Sequence, residues 1–101
     1  MIAWLSAGET VGISAIAWGE FLCGPLSPIA EAFARQLLPN AEPLHRADAE
    51  LAARLFNATG RRSKSYADCC IAAMAIRLRV SLATSNVDDF KPMVGHGLLL
   101  A

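Results

Sequence analysis

Net charge is missing from this 101-residue chain, in which nine basic side chains cancel nine acidic ones. No global field draws it to nucleic acid, so any such binding must rest on a local patch. The neutral balance also weakens colloidal repulsion, which fits a chain that hides apolar surface in a partner. Cysteine is scarce. Cys23, Cys69 and Cys70 form neither an even disulfide set nor a zinc-ligand spacing, and a reducing cytoplasm is the simplest compartment. Long apolar runs are absent too. Although 54% of the residues are hydrophobic and mean hydropathy is +0.39, Pro, Gly and charges break every run. None approaches the roughly 20 residues of a membrane span. Met1-Ile2-Ala3-Trp4 carries no basic stretch or long apolar region of a secretory leader. Repeats, a Gly-rich phosphate loop and an Asp-x-Asp nucleophile motif are also lacking, and no aspartate precedes Asp48. What remains is a single domain over 1–101, long enough to bury roughly 60 to 70% of its unfolded surface.

What is there is organised around residues 65–90. In Ser65-Tyr66-Ala67-Asp68-Cys69-Cys70-Ile71-Ala72-Ala73-Met74-Ala75-Ile76-Arg77-Leu78-Arg79, apolar residues recur at helical spacing and alanine favours the helix. Asp68 falls in the first turn, where the helix dipole favours an anion. Val80 to Ala83 has the length of a buried strand and ends in Thr84-Ser85-Asn86-Val87-Asp88-Asp89. In α/β folds, sites sit at the carboxyl ends of strands. A helix-start acid and a strand-end acid are thus expected to face one crevice.

Upstream, Ile2 to Ala7 reads as the tail of a helix closed by Gly8. Val11-Gly12-Ile13 is a short strand, and Ser14 caps a helix that runs to Cys23. Ser27-Pro28 starts another, reaching about Leu37. Ala41 to Leu44 is a weak strand. A helix over Arg46 to Asn57 turns Leu51, Ala52, Leu55 and Phe56 inward and pairs Glu50 with Arg54 outside. Pro92 to Gly97 is a loop, and Leu98 to Leu100 a final strand. Alternating strands and helices predict an α/β fold, a three-layer α/β/α sandwich on a parallel sheet.

Glu20, Asp68 and Asp89, with Asn86 and Asp88 nearby, fall at element ends that such a sandwich can gather. Two unit charges about 5 Å apart repel by roughly 3 kcal/mol at an effective dielectric near 20, so clustered carboxylates need a proton or a cation. Oxygen ligands without His or Cys select Mg²⁺ or Mn²⁺, which can activate water against a phosphodiester. Arg61, Arg62 and Lys64, beside Asp68, would hold the phosphate backbone. Each residue also has an ordinary structural reading. Asp68 alone is a first-turn dipole acid, Glu20 a helix-edge acid, Asp88 and Asp89 loop acids, Asn86 a turn residue and the basic loop a solvated one. Cys69 and Cys70 read as core, His45 and His96 as solvated loop residues, and Trp4 and Trp18 as core or interface anchors.

Taken together, three segments resemble the PIN-domain ribonucleases, and especially the VapC-type toxins of bacterial toxin–antitoxin modules. They are Ile13-Ser14-Ala15-Ile16-Ala17-Trp18-Gly19-Glu20-Phe21-Leu22-Cys23-Gly24, then Tyr66-Ala67-Asp68-Cys69-Cys70-Ile71-Ala72-Ala73, then Leu82-Ala83-Thr84-Ser85-Asn86-Val87-Asp88-Asp89-Phe90. The resemblance implies that Glu20, Asp68 and Asp89 are catalytic, metal-site acids, with Asn86 as a nearby polar ligand. It implies RNA cleavage with Mg²⁺ or Mn²⁺, a homodimer, and silencing by a small antitoxin.

The chain departs from that family at its start. Members open on an apolar strand ending in Asp-Thr or Asp-Ser, which forms the middle of the sheet and supplies the first metal-site acid. Nothing before Trp4 corresponds to it. The expectation is therefore a PIN-like domain truncated at its N-terminus, without its first central strand and with cleavage impaired. The alternative is a non-catalytic protein that binds an antitoxin or RNA without cutting. A third possibility is another Mg²⁺-dependent phosphoryl-transfer enzyme.

Overall fold

Gly8 adopts φ +64° and turns the chain back on itself between β1 (Ala3–Ala7) and β2 (Thr10–Gly12). A Cβ at Gly8 would meet nothing within 4 Å, so the left-handed backbone and not crowding is what favours glycine. A connection this short joins only antiparallel strands. The computed structural model describes residues 3–8, 10–59 and 65–101. In chain order the hairpin is followed by α1 (Ala15–Leu22), α2 (Pro28–Leu37), α3 (Arg46–Ala58), α4 (Tyr66–Leu78), β3 (Ser81–Thr84) and α5 (Val87–Phe90). A 3₁₀ turn (Lys91–His96) and β4 (Leu99–Leu100) complete it.

The strands form one sheet in the order β2-β1-β3-β4. β1 lies in its middle, antiparallel to β2 and, with Ala3 opposite Thr84 and Leu5 opposite Leu82, to β3. β3 and β4 are parallel, Leu82 opposite Leu100. The result is a mixed α/β fold with a four-stranded, partly parallel sheet, not the wholly parallel one expected. Residues 3–7, expected as a helix tail, are a strand because they alternate between core and outside, Ala3 and Leu5 inward, Trp4 and Ser6 not. The central position expected to stand empty is filled by this reversed strand.

Helix starts follow the serines. Ser14 Oγ accepts from Ala17 N at 3.0 Å, Ser27 Oγ from Ala30 N at 3.1 Å and Ser65 Oγ from Asp68 N at 3.2 Å. The expected strand at 41–44 shrinks to a single parallel bridge from Ser14 to Glu42. Pro43 has no N–H with which to continue the ladder. The 92–97 loop is mostly a 3₁₀ turn, and the final strand is two residues long.

α4 is the centre of the core. Cys69 through Ala75 are all at most 2% exposed, which only small side chains on several faces of a helix permit. α3 packs on it through Ala52 and Leu55, the sheet through Ala3, Leu5 and Leu82, and α5 through Phe90. Leu51 and Phe56 are only partly buried, and the partner of Glu50 is Arg46 at 3.0 Å, an exposed pair, in place of the expected Arg54. His45 and His96 are exposed, while Trp4 and Trp18 are half-buried and line, with Phe21, Ala34 and Leu38, an apolar cavity of about 20 Å³.

One buried group was not foreseen. Asp48, 1% exposed, receives Arg77 Nε at 2.7 Å and the His45 backbone N–H at 2.9 Å. Arg77 Nη2 also reaches Glu42 Oε1 and the Pro43 carbonyl, both at 3.4 Å. The node ties α3, α4 and the 42–45 segment together. Burial pushes the Asp48 carboxyl up, but Arg77 and the His45 N–H outweigh it and hold it below the ordinary value of 3.8.

Candidate functional site

α4 leads through a tight bend into β3. Arg79 takes φ 57°, and Val80 N donates to Ala75 O at 3.1 Å. The strand therefore runs back along the helix, and the start of α4 lies at the same edge as the end of β3. β2, β3 and β4 all point toward that edge, since each runs opposite to β1 or parallel to a strand that does. Asp68 in the first turn of α4 and Asn86, Asp88 and Asp89 after β3 are gathered there by topology.

Asp68 is 5% exposed and its backbone N–H is held by Ser65. The spacing Ser65-x-x-Asp68 is a helix-start pattern visible in the sequence, and it marks Ser65 as the residue that orients the acid. Glu20, in the second turn of α1, is exposed, so it escapes the cost of full burial. Partial desolvation, and then the charge of Asp68, raise its pKa above the ordinary 4.5. These two acids, 48 residues apart in the chain, are thus within one another's field.

Beyond β3, Ser85, Asn86, Val87, Asp88 and Asp89 line an open polar concavity of about 320 Å³. Asn86 N donates to Thr84 Oγ1 at 3.1 Å, and Asp89 N to Asn86 O at 3.1 Å. Thr84 was not singled out by its sequence, yet it shapes this turn. Phe90, fully buried, pins α5 and leaves Asp89 half-buried. Asp88 pairs with Lys91 at 3.1 Å on the surface.

Among the described residues, no group of three or more His, Cys, Asp or Glu side chains is placed to hold a metal ion. The Glu20–Asp68 pair by itself suits Mg²⁺ or Mn²⁺ in kind and number. Such ions keep several waters and are commonly held by one or two carboxylates together with a substrate phosphate. The middle strand adds no acid. Because β1 is reversed, its beginning and not its end lies opposite Thr84, and the residue there is Ala3. Arg61, Arg62 and Lys64 lie outside the described residues.

The class these features define is an α/β domain with acidic side chains collected at the carboxyl edge of its sheet. The chain belongs to the PIN domain family, which matches residues 2–93. PIN domains are generally nucleases and generally depend on divalent metal. A search of curated proteins finds no match to the chain. Among the described residues no helix is long and apolar enough to cross a membrane.

Proposed function

We propose that this PIN domain is a metal-dependent ribonuclease of the VapC toxin type, acting in the cytoplasm on RNA phosphodiester bonds, and that its cleavage is feeble. The observation that carries the reading is the gathering of acids at one sheet edge, Asp68 in the first turn of α4 beside the polar concavity of residues 85–89, with burial and then the Asp68 charge raising the pKa of Glu20. Glu20 and Asp68 would hold Mg²⁺ or Mn²⁺, with Asp89 and Asn86 on the neighbouring rim of the concavity. When bound, such an ion supplies water activation and neutralises charge on the leaving oxygen. Ser65 orients Asp68, and Thr84 fixes the turn that presents Asn86. Arg61, Arg62 and Lys64 would meet the RNA backbone by charge. An antitoxin covering the acidic edge would silence the protein, and the working form would be a homodimer. Feebleness follows from the short acid set, since among the described residues no third carboxylate is grouped to hold a metal and β1 places Ala3 opposite Thr84.

A second reading is favoured by the lack, among the described residues, of a three-acid group. In it the chain binds an antitoxin or RNA without cutting. Incubating the protein with single-stranded RNA and Mn²⁺ or Mg²⁺ separates the two. Slow cleavage that chelation or Asp68→Asn abolishes is expected. RNA that is bound yet stays intact at every metal concentration would leave the second reading standing in its place.

A further inference from the structure

The sheet has two unlike faces. Ala3, Leu5 and Leu82 face the core, so the residues that alternate with them along β1 and β3 point the other way. On that outer face the register lays Val11, Ser6, Ser81 and Leu99 in one row across the four strands, with Trp4 and Ala83 opposite one another beside it. The middle of the face is made of small side chains. Its rims, Val11 and Leu99, are 53% and 58% exposed, so no layer closes over them. Trp4, Ser6, Val11 and Ala83 line, with Leu37 and Leu38 from the end of α2, an open groove of about 410 Å³. That is a size within the roughly 300 to 1,000 Å³ typical of small-ligand sites.

No residue lining the groove is charged, so a phosphate or carboxylate has no partner inside it. It is not wholly apolar either. Ser6 brings a hydroxyl and Trp4 an indole N–H, and Ser81 lies directly across from Ser6. Among the described residues none of these three groups is hydrogen-bonded within the chain. An aliphatic occupant would strip water from them and return nothing. A planar heteroaromatic ring gives its face to the indole and its polar edge to the hydroxyls. Trp4 also borders the small closed cavity that Trp18 and Phe21 line, so its indole is held before any ligand arrives. The groove adjoins the acidic edge. Ala83, in its wall, is followed at once by Thr84, whose hydroxyl accepts from Asn86 N.

We infer that the groove takes one unstacked base of a single-stranded RNA whose backbone runs past the acidic edge. The base stacks on Trp4 and hydrogen-bonds through its edge to Ser6 and Ser81, while sugar and phosphate stay outside in water. Aromatic side chains carried on a sheet are a common platform for unpaired RNA bases. The inference rests on the reading of the chain as an RNA-directed nuclease, and adds to it a determinant of which nucleotide is presented to the acids.

The test uses the full chain in EDTA, so that RNA stays whole, and short single-stranded oligoribonucleotides beside an abasic strand of equal length. In a Trp18→Phe background Trp4 is the one tryptophan. Its fluorescence is expected to be quenched by the oligonucleotides and unmoved by the abasic strand. Ala83→Leu and Ser6→Leu fill the groove from its solvent side. In the otherwise wild-type chain each is expected to weaken oligonucleotide binding, read by anisotropy of a labelled strand, about five- to tenfold with melting nearly unchanged. Cleavage is followed separately with Mn²⁺. Quenching and a filling effect in a chain that never cuts would keep the base site and remove only the nuclease. A chain that cuts RNA but shows neither quenching nor any effect of filling would overturn the inference. So would quenching by free adenosine with none by RNA, which would assign the groove to a small molecule.

Discussion

Arg77 on α4 places its Nε 2.7 Å from the Asp48 carboxylate on α3, joining two helices whose residues are far apart in sequence. The carboxylate is buried while the guanidinium keeps 25% of its side-chain surface in solvent. Removing the cation strands a buried charge, which costs about 3 kcal/mol. Arg77→Ala should therefore lower the melting temperature by roughly 10 to 20 °C for a domain of this size. Replacing both partners by Leu should recover much of the loss, as read by thermal unfolding of the two single variants and the double.

The same pair sets an acid limb. The folded pKa of Asp48 lies below its ordinary value of 3.8, so the unfolded chain takes up the proton first as pH falls. The node's contribution is complete above about pH 5 and is lost as pH drops through 3.8 toward the folded value. Urea unfolding at a series of pH values should show a steeper acid loss in the wild type than in Asp48→Asn.

Glu20 has the opposite sign. Its folded pKa is raised, so in the ionised state, well above 4.5, its partial desolvation and then the charge of Asp68 work against folding, and the penalty fades as pH falls. Without divalent metal, Glu20→Gln should melt slightly higher than wild type at neutral pH. Adding Mn²⁺ should raise the melting temperature of the wild type and leave Asp68→Asn and Glu20→Gln nearly unmoved.

Arg79 closes α4 at φ 57°, a conformation that glycine adopts without a Cβ clash. The side chain is exposed. Arg79→Gly should stabilise the domain by about 0.5 to 1 kcal/mol, measured as a shift of the urea midpoint at constant slope.

Cys23 is exposed, whereas Cys69 and Cys70 are buried. Burial pushes the Cys70 thiol up despite its hydrogen bond with Tyr66, so little thiolate forms at neutral pH. A chromogenic disulfide should titrate one thiol rapidly in the native protein and three in denaturant.

The helices were legible because their starts are local chemistry. Ser14, Ser27-Pro28 and Ser65 each announce a first turn, and Asp68 falls where its position in that turn dictates. The hairpin was not legible, because residues 3–7 are too short for their period to distinguish strand from helix. Gly8, which serves a helix end or a turn equally well, did not decide between them. Asp48 was missed for a different reason. Its partner lies on another helix, and a lone acid in a first turn carries no mark of the arginine that will reach it. Of the site, Asp68 and Glu20 were legible as acids at element ends, but whether Asp89 joins them depends on packing that no spacing encodes.

The α4 helix, enclosed from Cys69 to Ala75, has no side that water can see. Sequence drift there is limited by volume before chemistry: a library randomised at Ala72, Ala73 and Ala75 should return little beyond Ala, Gly, Ser and Cys. The outward positions of α3, by contrast, should accept nearly any residue that keeps the helix.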